Sequence, residues 1–141
     1  MTNQIYPCLW FDNQAQAAAK FYCSVFKNSK ITDDNPMVVS FELNGKKFIG
    51  LNGGPQFKFN EAVSFVVDCE TQEEIDYCWK SLTADGGSEG NCGWLKDKFG
   101  VSWQIVPSIL PKLLSNLERA PKVVEVYTKM KKFNIQELEN A

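Results

Sequence analysis

The sequence contains no histidine among its 141 residues. Histidine is the commonest metal ligand in proteins and the usual general base near neutral pH. Any metal site or acid–base chemistry therefore has to be built from other residues. A long hydrophobic run is also lacking, since no apolar stretch approaches the roughly 20 residues that span a bilayer. We expect no membrane partner, and the polar start MTNQIYP is not typical of a signal peptide.

An excess of basic residues is missing as well. Fifteen Lys and Arg residues stand against 17 Asp and Glu residues, the formal net charge is −2, and the isoelectric point is about 5.2. Surfaces that bind nucleic acid carry clustered positive charge. We therefore predict that nucleic acid is not a partner.

The five cysteines form no recognisable pattern. Their number is odd, and no two are three residues apart, so neither a disulfide framework nor a CxxC zinc site is indicated. We expect reduced thiols and a cytoplasmic location.

What the sequence does contain is strand and helix signals in a regular order. A β-rich run at 5–11 precedes a helix over 14–26 that Asp12-Asn13 can cap. The buried face of this helix is expected to carry Ala18, Val25 and either Phe21 or Tyr22. Residues 37–54 then predict a hairpin that turns at Asn44-Gly45.

The second half has the same kinds of signal. Strand 62–68 leads to a helix that begins at a capping box, Thr71 to Glu74, and buries Ile75, Trp79 and Leu82. Residues 92–97 and 101–107 predict a second hairpin. The segment from Ser108 onwards reads as helices, and the last one is capped by Asn134.

Self-similarity links the two halves. A shift of 56 positions places Asp12 on Asp68 and Gln16 on Gln72, and the order of elements matches. The alternative is an unrelated α+β meander with a chance likeness. We predict an α+β fold of two tandem βαβββ modules in a single domain, with module one at about 1–55, module two at about 56–107 and a helical tail at 108–141.

A module of this kind covers one face of its sheet with a helix, and two modules can curl the other faces into a trough. Strand alternation sends Cys8 and Trp10 to one face and Leu9 to the other. The shift of 56 pairs Cys8 with Ser64. If FIGL (48–51) aligns with SWQI (102–105), Gly50 lies opposite Gln104.

Several motifs together resemble a known family. The likeness runs over essentially the whole chain, including the helical tail, and these are the motifs: YPCLWFDNQAQAAAKFY, FIGLNGGP, QEEIDYCW, CGWLKDKFGVSWQIVP and MKKFNIQELENA. They are similar to the PhnB-like branch of the vicinal oxygen chelate superfamily, which includes glyoxalase I, extradiol dioxygenases, and bleomycin- and fosfomycin-resistance proteins. Members are often labelled 3-demethylubiquinone-9 3-methyltransferase, a label that the missing glycine-rich strand-to-helix turn argues against.

The resemblance implies where a metal would sit. Metal enzymes of the superfamily hold a divalent ion with four His, Glu or Gln side chains, and those places fall on Cys8, Gly50, Ser64 and Gln104. Only the cysteine is a strong ligand once deprotonated. We therefore predict no metal and no cofactor.

The ligand-binding candidates are seven residues, while no catalytic residue is identified: Cys8, Trp10, Gly50, Asn52, Ser64, Trp94 and Gln104. Each has a structural alternative. Cys8 is either a reactive thiol or a buried, inert one, Gln104 orients a ligand or satisfies the backbone, and the tryptophans are cavity walls or core. Trp103 is expected on the helix side.

Three functions remain open at this level. The first is a metal-independent small-molecule binding protein that forms a homodimer, in the manner of the bleomycin-resistance proteins. The second is a metal-dependent lyase, isomerase or other enzyme of the superfamily. The third is a structural role in which the tail docks a partner.

Overall fold

A computed structural model describes residues 3–141 of the protein. The chain divides into two compact units, with the boundary between Phe59 and Asn60. Across the described residues, no helix has the length and apolar character that crossing a membrane requires.

The first unit is a four-stranded sheet with one helix on it. Its elements are β1 (Cys8–Phe11), α1 (Ala15–Val25), β2 (Lys30–Asp34), β3 (Val38–Leu43) and β4 (Lys46–Asn52). The strands lie in the order β1-β4-β3-β2, in which β1 and β4 are parallel and the other pairs antiparallel. The first strand is thus joined to the last.

Local signals place these elements correctly. Asn44 and Gly45 both have positive φ, at 49° and 77°, as the predicted two-residue hairpin turn requires. On α1, Ala18, Tyr22 and Val25 are buried. The ambiguity between Phe21 and Tyr22 is therefore resolved in favour of Tyr22.

The second unit repeats the same topology. Its elements are β5 (Ser64–Cys69), α2 (Gln72–Thr83), a 3-10 turn (Ala84–Gly86), β6 (Ser88–Glu89), β7 (Trp94–Lys96) and β8 (Ser102–Pro107). The order is β5-β8-β7-β6, again with a parallel first and last strand. The predicted pair of βαβββ modules is confirmed, and a trough between them stays a prediction.

The chain after Pro107 forms three short helices, α3 (Leu110–Ser115), α4 (Ala120–Tyr127) and α5 (Ile135–Glu139). Asn134 Oδ1 accepts a bond from the Glu137 N–H, which confirms the predicted cap. At the start of α2, Thr71 Oγ1 likewise accepts from the Glu74 N–H. The Glu74 carboxylate bonds the N–H of Glu70 instead of that of Thr71, so the capping box is only half formed.

Asn52, a predicted ligand contact, instead caps α1. Its Oδ1 accepts a 2.9 Å bond from the Ala15 N–H, and its Nδ2 donates to Gln16 Oε1 and to the Pro36 carbonyl. The predicted cap by Asp12-Asn13 is wrong, because the residue that precedes the helix, Gln14, gives no side-chain cap. The capping acceptor comes from β4, which is distant in sequence, so local sequence patterns do not reveal it.

The alignment of Gly50 with Gln104 is also wrong, by one residue. Gly50 pairs with Leu9 on β1, whereas Gln104 pairs with Val66, which is the counterpart of Trp10. The residue that corresponds to Gln104 is therefore Leu51. A Cβ on Gly50 would lie 3.2 Å from the Ala15 Cβ, so this position faces α1 and offers nothing to the opposite side of the sheet.

We predict that Asn52→Ala destabilises the protein by about 2 kcal/mol, because a helix cap and two further hydrogen bonds are lost together. Urea unfolding followed by circular dichroism measures the change. Asn140→Ala, at an exposed position, is the control and should change stability by less than about 0.5 kcal/mol. An Asn52 variant as stable as this control would contradict the capping role.

Candidate functional site

The second sheet has a face turned away from α2, which we call the outer face: Ser64, Val66, Trp94, Lys96, Ser102 and Gln104. The register of β5, β7 and β8 places these residues side by side. The alternate residues Leu95, Trp103 and Ile105 are buried on the helix side. The prediction that Trp103 belongs to the core is confirmed.

Gln104 lies at the centre of the outer face. It is paired with Val66 on β5 and with Trp94 on β7, so both strands flank it directly. Its Nε2 donates a 2.9 Å hydrogen bond to Ser64 Oγ. Two predicted site residues are thereby brought together.

Apolar surface surrounds this polar pair. Val66 is 57% exposed, an unusual position for a valine in a sheet, and Trp94 is half-buried. Side chains directly opposite each other on neighbouring strands are in contact range. The Gln104 amide therefore lies between an aliphatic group and an indole.

Lys96, the charged residue among these six, is paired. Lys96 forms an ion pair with Glu61, and its hydrogen bond and positive charge lower the pKa of the Glu61 carboxyl. Ser102 is 1% exposed, and its Oγ has no hydrogen-bond partner among the described residues. Because protein atoms cover this hydroxyl, a ligand on the face would not contact it directly.

Asp97, which sequence reasoning did not single out, fixes the hairpin that carries the face. Its Oδ1 accepts bonds from the N–H groups of Phe99 and Val101, and its Oδ2 accepts a 2.9 Å bond from Trp103 Nε1. The residue is 3% exposed. The signal was present: Asp at the first position and Gly100 at the fourth are typical of a β-turn.

The first unit holds the other two outward-facing candidates, Cys8 and Trp10. The Trp10 indole donates to the Gly54 carbonyl at 2.9 Å and meets the Phe57 ring edge-on at 4.9 Å. A Cβ on Gly53 would lie 2.3 Å from the Trp10 ring, so the glycine makes room for it. The GLNGGP loop (50–55) thus packs on this tryptophan.

Cys8 is exposed overall, yet partial desolvation raises the pKa of its thiol. A thiol held protonated at neutral pH is a weak nucleophile and a weak metal ligand. This favours an inert thiol, but the predicted burial of Cys8 is wrong, because the residue is exposed.

The residues at the positions that would hold a superfamily metal do not fit one. Gly50 has no donor and faces α1, Leu51, which corresponds to Gln104, is aliphatic, and Ser64 and Gln104 are neutral and bonded to each other. Throughout residues 3–141, no three His, Cys, Asp or Glu side chains converge as a metal site. Divalent ions in open sites need several nitrogen, sulfur or carboxylate donors, and this set does not provide them.

The chain is similar to known proteins in both sequence and fold. Residues 3–106 match the family described as 3-demethylubiquinone-9 3-methyltransferase. The chain belongs to this family. The resemblance to PhnB-like proteins is confirmed, but the match ends at Val106, so the tail to which we extended the likeness lies outside it.

Solved structures agree with this membership of the 3-demethylubiquinone-9 3-methyltransferase family. A putative member of that name, the PhnB protein from Bacillus cereus, is 32% identical, with a TM-score of 0.68 over 75% of this chain and all of that one. A glyoxalase-related enzyme from Fulvimarina pelagi is 17% identical over 76% of this chain and 89% of that one, with a TM-score of 0.57.

A more distant neighbour has the same fold. The fosfomycin resistance protein FosX from Listeria monocytogenes, solved with Mn(II) and sulfate, is 12% identical over 83% of this chain and 98% of that one, with a TM-score of 0.62. At this identity the likeness shows the fold alone. Among curated proteins, none matches the sequence.

We predict that Asp97→Ala destabilises the protein by about 3 kcal/mol, because buried donors are left unpaired. Asp97→Asn, which keeps an acceptor oxygen, should reduce the free energy of unfolding by less. Equilibrium unfolding in urea separates the two, with the exposed Asp12→Ala as a control. Equal stability of the two Asp97 variants and the control would show that this carboxylate does not hold the hairpin.

Proposed function

We propose that this protein binds an uncharged small molecule on the outer face of the second sheet, and that binding needs no metal ion. The observation that carries the proposal is the hydrogen bond between Gln104 and Ser64 on that face. Both groups are neutral, and both stand at positions where the superfamily's metal enzymes carry ligands.

The chemistry of the pair supports a polar but uncharged partner. Gln104 uses one amide N–H for Ser64, so its other N–H and its oxygen have the capacity to bond a ligand's carbonyl, hydroxyl or amide. A charged ligand would lose its hydration and gain only neutral partners in return. Lys96 is already paired with Glu61.

The flanking groups support a ligand with an apolar part. Binding sites for small molecules are mostly hydrophobic and aromatic, with a few polar groups that fix orientation. Val66 and Trp94 provide such surface on either side of Gln104. An indole also offers a flat surface on which a planar ligand can stack.

The family's description does not lead us to propose methyl transfer. The connections from strand to helix, residues 12–14 and 70–71, contain no glycine. Glycine-rich turns let the backbone approach a nucleotide cofactor closely at a helix N-terminus. The Asn52 side chain, which caps α1, occupies the corresponding place in the first unit.

A homodimer and a cytoplasmic location are part of the same proposal. Val63 and Val66 are more than half exposed, and exposed apolar residues beside strand edges favour association of two copies. The free thiols favour a reducing compartment. Sedimentation equilibrium and cell fractionation test these two statements, and a monomer at micromolar concentration would contradict the first.

We predict that the neutral fluorophore N-phenyl-naphthylamine binds and quenches tryptophan emission. Gln104→Ala should weaken binding about fivefold, the equivalent of one hydrogen bond. Trp94→Ala should weaken it at least about tenfold, because an aromatic contact is lost. The anionic analogue anilinonaphthalene sulfonate should bind more weakly than the neutral probe. Fluorescence titration measures all three effects.

Gln56→Ala is the matched control, since Gln56 is an exposed glutamine in the first unit. It should leave the affinity unchanged. Wild-type protein that fails to bind any neutral aromatic probe, or Gln104 and Trp94 variants that bind as well as the control, would contradict the proposed site.

A further inference from the structure

The helical tail lies outside the residues that match the family, yet it is joined to the backbone just before the outer face. The Cys92 N–H donates to the Met130 carbonyl and the Gly93 N–H to the Lys131 carbonyl, each at 2.8 Å. The Gly93 carbonyl in turn accepts a 2.8 Å bond from the N–H of Ile105. Gly93 therefore connects the tail to β8.

The side chain of Phe133 packs tightly against Gly93 at this junction. Phe133 is 2% exposed, and a Cβ on Gly93 would lie 2.4 Å from its ring. Gly93 also has a φ of 83°, which L-residues rarely adopt. The aromatic ring thus fills the space that a side chain at position 93 would occupy.

The tail segment is fixed from its other side by α2. Gln72 Nε2 donates to the Phe133 carbonyl at 3.0 Å, and Gln72 Oε1 accepts a 2.8 Å bond from the Ile135 N–H. Lys132 pairs with Asp76 one turn further along the helix, at 2.8 Å. Residues 130–135, which we call the strap, are therefore held between α2 and residues 92–93.

The position of Trp94 depends on the residues before it, because β7 has only three residues and Trp94 is the first of them. A short strand has few ladder hydrogen bonds of its own, and strand ends open most easily. Its neighbour Gly93 is tied to both the strap and β8. The position of the Trp94 indole next to Gln104 is thus set partly by the tail.

We propose that the strap positions Trp94 against Gln104, so that Gln72 and Phe133 are positioning residues for ligand binding on the outer face. The inference rests on the proposed function of that face. It gives the tail a role in the site although no tail residue belongs to the outer face.

Fluorotryptophan labelling tests the proposal. The chain has four tryptophans, and Trp94→Phe identifies the Trp94 resonance in the fluorine NMR spectrum. In Gln72→Leu, which removes both amide bonds to the strap, the Gly93 amide should exchange faster and the Trp94 resonance should shift or broaden. Affinity for N-phenyl-naphthylamine should fall about threefold to tenfold. The Trp10 and Trp103 resonances should stay in place, which a general loss of structure would not allow.

Gln136→Leu, an exposed glutamine on α5, is the matched control and should change none of these signals. Unchanged Gly93 exchange in Gln72→Leu would show that Gln72 does not hold the strap. Faster exchange with an unmoved Trp94 resonance would show that the strap does not position Trp94. Either result overturns the inference.

The two proposals fail in different ways. The Trp94 resonance measures the effect of the strap on Trp94 in the absence of ligand, whereas probe binding by wild-type protein measures whether the outer face binds a ligand. If wild-type protein does not bind the probe, the proposed function is contradicted. If the Trp94 resonance does not change in Gln72→Leu, the positioning role of the strap is contradicted. If Phe133→Ala remains folded, it should move the Trp94 resonance further than Gln72→Leu.

Discussion

The parallel pairing of the first strand with the last one decides what each unit can present. In the second unit, β5 and β8 fix which side chains lie opposite each other, and β7 joins on the other edge of β8. This register sends Trp103 to the helix and Gln104 to the outer face. A slip of one residue would exchange the two, so the chemistry of the face depends on this single pairing.

Given that pairing, the proposed function depends on the composition of the face. An amide and a hydroxyl satisfy each other where a metal enzyme would carry charged or imidazole donors. A glutamine keeps the shape and hydrogen-bonding capacity of a glutamate without its charge. The fold that this protein has in common with FosX does not by itself imply a shared function, because function resides in the side chains of a site.

Features that depend on local chemistry could be predicted from the sequence. The Asn44-Gly45 turn and the caps at Thr71 and Asn134 each involve residues within four positions of one another. The repeat could be predicted as well, since both halves keep the same order of strands and helix. The family resemblance placed Ser64 and Gln104 among the same four positions, but the hydrogen bond between them was not predicted.

Features that depend on distant pairing were missed. Asn52 caps a helix that begins 37 positions earlier, and no local sequence pattern predicts that capping role. Gly50 was placed on the wrong face because periodicity fixes a strand but not its register. The attachment of Phe133 to Gly93 escaped notice for the same reason, since it joins segments that share no motif.

The central claim, that the outer face binds an uncharged ligand without a metal, is tested most directly by metal content. Purified, tag-free protein would be incubated with zinc, nickel or manganese, desalted, and analysed by inductively coupled plasma mass spectrometry. The account predicts far less than one ion per chain for each metal, in wild-type protein and in Gln104→Ala alike. One tightly held ion per chain that Gln104→Ala loses would contradict it.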